Sequence, residues 1–155
     1  MRVIVGADHA GFALKEHLKA FLELAGHEVY DAGCYDTGEV DYPDLAADVA
    51  HGVISRVWER GLLVCGTGIG MDISANKVRG VRAARVTDTL SARLSRAHND
   101  ANVLCLSGWM TGPKLAEEIV QVWLETLYDG ERHEARLSKI ERLEGGTQTT
   151  DVDHK

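Results

Sequence analysis

Short apolar runs alternate along the chain with longer segments in which apolar residues recur every three or four positions. The short runs are rich in β-branched residues and border on glycines, which is typical of buried strands. The longer segments place their apolar residues on one face, as amphipathic helices do. This pattern predicts strands at 2–6, 27–31, 62–65, 81–86 and 103–106, and helices at 11–25, 44–59, 68–77, 89–98, 114–128 and 134–143.

The regular alternation of strands and helices predicts the fold class. Such an order favours a parallel sheet with helices on both faces. We predict an α/β protein, a three-layer α/β/α sandwich with a Rossmann-like, five-stranded parallel sheet. The extra C-terminal helix at 134–143 carries its own apolar stripe and needs a further surface to cover. We expect a single domain at 1–144 and a disordered polar tail at 145–155.

Composition and charge exclude several classes of protein. The chain has 155 residues and a formal net charge of −7, without a basic run, so nucleic acid and anionic membranes are poor partners. No apolar run approaches the roughly 20 residues of a membrane span, and no basic leader precedes an apolar stretch. The three cysteines lie far apart and form no CxxC motif, which favours a reducing, cytoplasmic environment and gives no sign of a metal site.

Three loops are candidate binding sites, because ligands of open α/β sheets bind at the carboxyl ends of strands. These loops are 6–11, 65–70 and 107–112. In loop 65–70, three alternate glycines lead from a strand into a helix, where free N–H groups favour an anion or a developing oxyanion. The alternative is a tight turn without function. Neither a GxGxxG nor a GxxxxGK[ST] motif occurs, so binding of a dinucleotide or ATP has little support.

Two of these loops carry side chains suited to proton transfer. Cys65 ends the third predicted strand beside the glycines, where the start of a helix favours a reactive thiolate. The alternative is a buried core cysteine, which is the expectation for Cys105. Asp8 and His9 follow the first strand and could form an acid–base or hydroxyl-binding pair. The alternative for Asp8 is a cap on the next helix.

His98 and Asn99 end the fourth predicted helix, and the simpler interpretation is a polar helix end. Residues that precede a parallel strand lie at the opposite edge of the sheet from Cys65. A strand of 5–6 residues separates the edges by roughly 17–20 Å. If His98 and Cys65 are both catalytic, they must therefore come from different subunits.

Arg132 and Arg136 are four positions apart, which predicts that they share one helical face. Two guanidinium groups there could grip one phosphate. The alternative is a solvated pair that neighbouring acidic residues neutralise.

Together the motifs resemble those of ribose-5-phosphate isomerase B and its relatives, the galactose-6-phosphate and allose-6-phosphate isomerases. The resemblance extends to about residue 144. Its motifs are GADHAGF at 6–12, DYP at 41–43, CGTGIG at 65–70 with SANK at 74–77, RAHNDANV at 96–103, and RHEAR at 132–136. It implies an aldose–ketose isomerase of a sugar phosphate, without metal or cofactor. It also implies a homodimer whose active site is shared between subunits, with a tetramer formed from two such dimers as the alternative.

The resemblance implies a role for each matching residue. Cys65 would be the general base that moves a proton between C1 and C2 through a cis-enediolate. His98 of the partner subunit would open the furanose ring with help from Asp8. The enediolate oxygen would be stabilised by the backbone amides of Gly66, Thr67, Gly68, Ile69 and Gly70.

The remaining matching residues would position the substrate. Thr67 and Tyr42 would lie near the reacting carbons, and Asn99 would bind sugar hydroxyls. The phosphate would be held by His9, Arg132 and Arg136.

Two positions differ from the pattern of some relatives. Met71 stands where some relatives carry a glutamate base, which leaves Cys65 as the base. Trp109 stands where relatives commonly carry an arginine that binds the phosphate, and a tryptophan can instead stack on a sugar face. We therefore expect ribose 5-phosphate as the substrate, with another sugar phosphate, such as allose 6-phosphate or galactose 6-phosphate, as the alternative. A non-catalytic phosphosugar-binding protein is the alternative from another class.

Overall fold

A computed structural model describes residues 1–145 of the chain. Its strands are Arg2–Ala7 (β1), Glu28–Asp31 (β2), Arg60–Cys65 (β3), Ala83–Arg85 (β4) and Val103–Ser107 (β5). Its α-helices are Phe12–Leu24 (α1), Tyr42–Ile54 (α2), Ile69–Ala75 (α3), Thr89–Ala97 (α4), Pro113–Glu125 (α5) and Glu134–Glu144 (α6), with a 3-10 turn at Glu131–His133.

The strands form one parallel sheet in the order β2–β1–β3–β5–β4. Alternate side chains point to opposite faces of a strand, so each face builds its own apolar cluster. One cluster packs under α1, α4 and α5, and the other under α2 and α3. The predicted α/β/α sandwich is therefore confirmed. From β1 the chain continues to β2 on one side of the sheet, and from β3 it continues to β4 on the other side. The crevice between β1 and β3 is therefore the switch point at which ligands of such sheets bind.

The structure corrects the ends of two predicted helices. The helix predicted at 44–59 ends at Ile54, because Arg56 adopts a φ of 60° and the chain turns towards β3. The apolar spacing continued through this turn, but Val57 is 52% exposed. The helix predicted at 114–128 ends at Glu125, and Leu127 is 81% exposed.

The apolar stripe of α6 is only partly covered by the rest of the chain. Leu137 is 8% exposed, whereas Ile140 is 41% and Leu143 is 62% exposed. Within the described residues, the helix therefore keeps an apolar surface free, as the sequence pattern predicted.

A buried lysine fixes the loop that follows β2. Lys15 of α1 is fully buried, and its ammonium donates to both carboxylate oxygens of Asp31 at 2.7 and 2.8 Å. It also donates to the carbonyl of Cys34 at 2.6 Å, while the Cys34 amide donates to the carbonyl of Ala7. Because an unpaired buried charge is strongly unfavourable, these contacts hold the loop against the end of β1.

Close packing of α1 on β3 predicts a large effect at Gly11. A Cβ atom at Gly11 would lie 2.3 Å from the carbonyl oxygen of Val64. We expect Gly11→Ala to lower the free energy of unfolding by roughly 1–3 kcal/mol, because a strand backbone cannot move aside. Urea denaturation measures this change. Gly112→Ala is the matched control, since a Cβ there meets no atom within 4 Å. An unchanged midpoint for Gly11→Ala would contradict the packing.

No helix among residues 1–145 is long and apolar enough to cross a membrane. Apart from Gly145, the tail predicted at 145–155 lies outside the described residues. The assignment of 1–144 to one domain stays a prediction.

Candidate active site

The three loops that the sequence singled out meet at the carboxyl ends of β1, β3 and β5. The Asp8 amide donates to the carbonyl of Val64 at 3.2 Å, and the Trp109 amide donates to the carbonyl of Gly66 at 3.2 Å. We call the resulting surface the carboxyl-edge site; its residues are Asp8, His9, Tyr42, Cys65, Gly66, Thr67, Gly68, Ile69, Gly70 and Trp109.

Cys65 lies at the end of β3, where the chain turns into α3. The thiol is buried, and the Gly68 amide donates to its sulfur at 3.1 Å. Gly68 has a φ of 78°, a conformation that glycine adopts readily and that aims this N–H at the sulfur. A donor on the sulfur stabilises a thiolate.

The other two cysteines are less suited to acid–base chemistry. Burial raises the pKa of the Cys34 thiol and raises that of Cys105 well above its ordinary value. Cys105 is fully buried within β5, so its predicted place in the core is confirmed. Cys34 lies in the loop after β2, where its main chain is bound by Ala7 and Lys15.

Two aromatic rings occupy the space that glycines leave open in loop 65–70. A Cβ atom at Gly66 would lie 2.8 Å from the indole of Trp109, and one at Gly70 would lie 2.7 Å from the ring of Tyr42. Trp109 is 72% exposed and Tyr42 is 40% exposed. Both rings therefore border the loop and keep a face available for a ligand.

Asp8 makes the contact expected of a helix cap, and its acid–base role stays a prediction. Its carboxylate is buried, and Oδ1 accepts a hydrogen bond from the Gly11 amide at 2.9 Å. This bond holds the turn into α1, as a cap would. Within residues 1–145, no hydrogen bond to Oδ2 is found, which leaves this oxygen for a ligand. His9 is exposed beside it.

Thr67 and Ile69 complete the turn of the glycine loop. The Thr67 hydroxyl accepts from the Ile69 amide at 3.3 Å, and the Thr67 carbonyl accepts from Nε of Arg85 at 2.7 Å. Thr67 is half-buried, whereas Ile69 is 48% exposed. The Thr67 hydroxyl and the turn of the loop are thus held by local contacts.

His98 lies at the opposite edge of the sheet, as the sequence predicted. It follows α4, four residues before Asn102, whose carbonyl accepts from the amide of Gly61 at the start of β3. Cys65 is four residues further along β3, which corresponds to about 13 Å of strand. Asn99 beside His98 is exposed, and its carbonyl accepts from Nε of Arg82. One chain therefore does not bring His98 and Asn99 to Cys65.

Arg132 and Arg136 both lie near His133, but they do not share one α-helix. Arg132 lies in the 3-10 turn, whereas Arg136 lies in the first full turn of α6. The prediction of a common helical face was wrong because Gly130 has a φ of 64° and the chain enters α6 through a tighter turn. Both side chains are exposed.

His133 is a candidate residue to which the sequence pattern had given no role. It is buried, and its ring stacks on that of His98 with centroids 4.3 Å apart and planes at 11°. Nε of Arg132 donates to Nε2 of His133 at 3.2 Å. No sequence spacing links positions 98 and 133; the two segments meet because the Asp129 amide donates to the carbonyl of Ala97. We call His98, Asn99, Arg132, His133 and Arg136 the amino-edge cluster.

Two residues of the amino-edge cluster, together with Asp129 beside them, come nearest to a metal site. Within residues 1–145, ligand atoms of His98, Asp129 and His133 lie within 4.8 Å of one another. Arg132 donates to His133, and the charge of Arg136 is close enough to lower the pKa of His133. This positive charge disfavours a bound cation. The absence of a metal nevertheless stays a prediction.

The burial of His133 predicts that the stability of the protein depends on pH. Burial, and then the charges of His98 and the arginines, lower the pKa of His133 from its ordinary 6.5. The unfolded chain therefore takes up a proton at a higher pH than the folded chain does. The contribution of neutral His133 to the free energy of unfolding is therefore complete above pH 6.5, and it is lost as the pH falls below that value. We expect His133→Leu to flatten the change in unfolding free energy between about pH 8 and about pH 5 in urea denaturation.

The control for this experiment is His51→Gln, because His51 is exposed on α2. It should keep the wild-type dependence. The interpretation fails if His133→Leu loses as much stability on acidification as the wild-type protein does.

Comparison with known proteins identifies the family of this chain. The sequence model of the Ribose/Galactose Isomerase family matches residues 3–140. Ribose-5-phosphate isomerase B of Escherichia coli is 42% identical over 143 residues, which cover 92% of this chain and 96% of that protein. D-erythrulose-4-phosphate isomerase of Pectobacterium atrosepticum is 41% identical over 141 residues, 90% of this chain and 93% of that protein. A solved ribose-5-phosphate isomerase B from Clostridium thermocellum superposes with a TM-score of 0.93 at 45% identity, covering 94% of this chain and 98% of that one. The chain belongs to the Ribose/Galactose Isomerase family.

Proposed function

We propose that this chain is an aldose–ketose isomerase that interconverts ribose 5-phosphate and ribulose 5-phosphate. The observation that carries this proposal is the Cys65 thiol at the switch point of the sheet, with the Gly68 amide 3.1 Å from its sulfur. Such a site offers a base and, beside it, backbone donors for a developing negative charge. Members of the same family that are named for ribose 5-phosphate support the substrate.

The reaction moves one proton between neighbouring carbons. The Cys65 thiolate takes the proton from C2 of the open-chain aldose, and the electron pair of that C–H bond forms the C1–C2 double bond. The C1 oxygen then carries the negative charge of a cis-enediolate, which the amides of loop 66–70 stabilise. The thiol returns its proton to C1, while the proton of the C2 hydroxyl passes to the C1 oxygen, so that C1 becomes an alcohol carbon and C2 becomes the ketone. Met71, in the position of a glutamate base in some relatives, is fully buried and has no group that accepts a proton.

Ring opening requires a second proton carrier, and we assign it to His98 of the partner subunit with Asp8. The strand length between the two edges prevents His98 and Cys65 of one chain from meeting. A two-fold homodimer that pairs the amino-edge cluster of one protomer with the carboxyl-edge site of its partner completes two equal sites. Exposed apolar residues on α3 and α4 favour such an interface; they are Ile69, Ile73, Leu90 and Leu94.

The other candidate residues position the substrate. Tyr42 and Thr67 lie at the glycine loop and would contact the reacting carbons. Asn99 of the partner subunit would bind sugar hydroxyls. The phosphate would be bound by His9 and by the partner's Arg132 and Arg136. These few groups supply local positive charge in a chain of net charge −7, so phosphate binding depends on each of them.

A second candidate function is isomerisation of a different sugar phosphate. Trp109 lies against Gly66 at the loop where relatives commonly carry an arginine. Its indole offers one N–H and a broad apolar face, which suits stacking on a sugar better than pairing with a phosphate. One relative is named for erythrulose 4-phosphate, so the family extends beyond a single substrate.

A panel of sugar phosphates tests the proposal. The purified protein is assayed for aldose–ketose conversion with ribose 5-phosphate, allose 6-phosphate, galactose 6-phosphate and erythrulose 4-phosphate. We expect the highest kcat/KM with ribose 5-phosphate. Preference for another member of the panel supports the second candidate, whereas binding without conversion indicates a non-catalytic phosphosugar-binding protein.

We also propose a cytoplasmic location, since all three cysteines are buried thiols without a disulfide.

A further inference from the structure

A pocket rich in arginine opens at the amino ends of the strands, on the opposite edge of the sheet from Cys65. It has a volume of about 610 Å³ and lies where β1 and β3 begin, beside the segments that lead into β4 and β5. None of its charged residues belongs to the carboxyl-edge site or to the amino-edge cluster. We call it the arginine pocket; its charged residues are Arg2, Arg56, Arg60, Arg82, Glu59 and Asp100.

The arginine pocket carries excess positive charge in an acidic protein. Four guanidinium groups face two carboxylates along its wall, whereas the whole chain has a net charge of −7. A local excess of this sign in a concave site attracts anions.

Both carboxylates are already engaged by other groups. Asp100 accepts from Arg96 and Arg82, each at 2.7 Å, and the Arg96 side chain is buried. Glu59 accepts from the backbone amide of Arg2 at 2.8 Å. Within residues 1–145, neither Arg56 nor Arg60 has a carboxylate oxygen within the 4.0 Å of an ion pair.

Arg60 is a half-buried arginine of the pocket that has no ion pair within residues 1–145. Its guanidinium lies 6.0 Å from the ring centroid of Trp123, whose ring Arg96 also faces at 5.8 Å. One of its amino groups donates to the carbonyl of Glu59 at 2.7 Å, while Nε is buried without a hydrogen-bond partner. Burial and the nearby charge of Arg96 lower the pKa of Arg60. A half-buried guanidinium in this position is stabilised by a bound anion.

We propose that the arginine pocket binds a phosphate-class dianion, held by Arg56 and Arg60 between the flanking charges of Arg2 and Arg82. Guanidinium groups match the oxygens of a phosphate in geometry and charge. The ligand is either free inorganic phosphate or the phosphate group of a small monoester, since both present the same three oxygens. The site is independent of the isomerase reaction, because it uses no residue assigned to that reaction.

Phosphorus NMR titration tests the proposal at constant ionic strength. The background variant is Arg132→Ala with Arg136→Ala, which removes two groups proposed to bind phosphate elsewhere. We expect this protein still to bind inorganic phosphate with a Kd on the order of 1 mM. Methyl phosphate, titrated in parallel, shows whether the site also takes a monoester. Because His9 remains in this background, binding of either ligand supports the proposal where substitutions in the arginine pocket weaken it.

Further substitutions in this background locate the bound anion. Arg60→Met and Arg56→Gln should each weaken binding by about fivefold or more. Arg142→Gln changes an exposed arginine of α6 outside the pocket and should leave the affinity unchanged. Arg56 is exposed, so its variant decides the question even if Arg60→Met does not fold. The proposal is overturned if Arg56→Gln and Arg142→Gln bind both ligands as tightly as the background variant, or if none of these proteins binds either ligand.

Discussion

Cys65→Ala is expected to reduce kcat/KM for the preferred sugar phosphate by about 10³-fold or more, because alanine cannot accept the C2 proton. The substitution removes one buried sulfur and leaves the backbone of loop 66–70 in place. The phosphate-binding groups are also untouched. Binding of the substrate, measured by calorimetry, should therefore change little. Conversion is followed by the appearance of the ketose.

The matched control for this substitution is Cys34→Ala. Cys34 is also a buried cysteine near the end of β1, and its fixed contacts come from the main chain, which alanine retains. It should keep most of the wild-type activity. If Cys65→Ala turns over substrate as fast as Cys34→Ala does, the assignment of Cys65 as the base is wrong.

Hybrid dimers of Cys65→Ala and His98→Asn subunits are expected to regain activity that both parent variants lack. In such a hybrid, one site receives both substitutions, and the other combines an intact carboxyl-edge site with an intact amino-edge cluster. Random exchange makes half of the dimers hybrid, so about a quarter of the wild-type sites should return. The measurement is isomerase activity after the two variants are unfolded together and refolded.

A second mixture controls for effects of refolding. Cys65→Ala and Asp8→Asn both alter the carboxyl-edge site, so each of the two active sites in their hybrid dimer carries one substitution. The isomerase activity of this mixture should therefore stay low. Equal recovery in the two mixtures, or no recovery in the first despite proven subunit exchange, would contradict a site shared between subunits.

Much of this architecture could be predicted from the periodicity of the sequence. The parallel sheet and the loops at its carboxyl edge follow from short apolar runs that alternate with amphipathic segments. The separation of His98 from Cys65 followed from topology alone, because a residue that precedes a parallel strand lies at the other edge. The end of α2 did not follow, since the apolar residue Val57 continues the helical spacing into an exposed turn.

Contacts between distant segments were not predictable from the pattern. His133 stacks on His98 only because the chain after α5 returns to the end of α4. The rings of Tyr42 and Trp109 border the glycine loop from two different segments, and only the fold shows which glycine each ring meets. Lys15 lies on an otherwise amphipathic helix, and its full burial depends on Asp31 from the neighbouring strand.

The most direct test of the proposed reaction is proton NMR of ribose 5-phosphate incubated with the protein in deuterated water. Proton transfer through a cis-enediolate with a thiol base predicts ribulose 5-phosphate that carries solvent deuterium at C1, because the thiol exchanges its proton with solvent. The Cys65→Ala protein should give neither product nor label. Absence of ribulose 5-phosphate with the wild-type protein, or labelled product formed equally fast by Cys65→Ala, would contradict the proposed function.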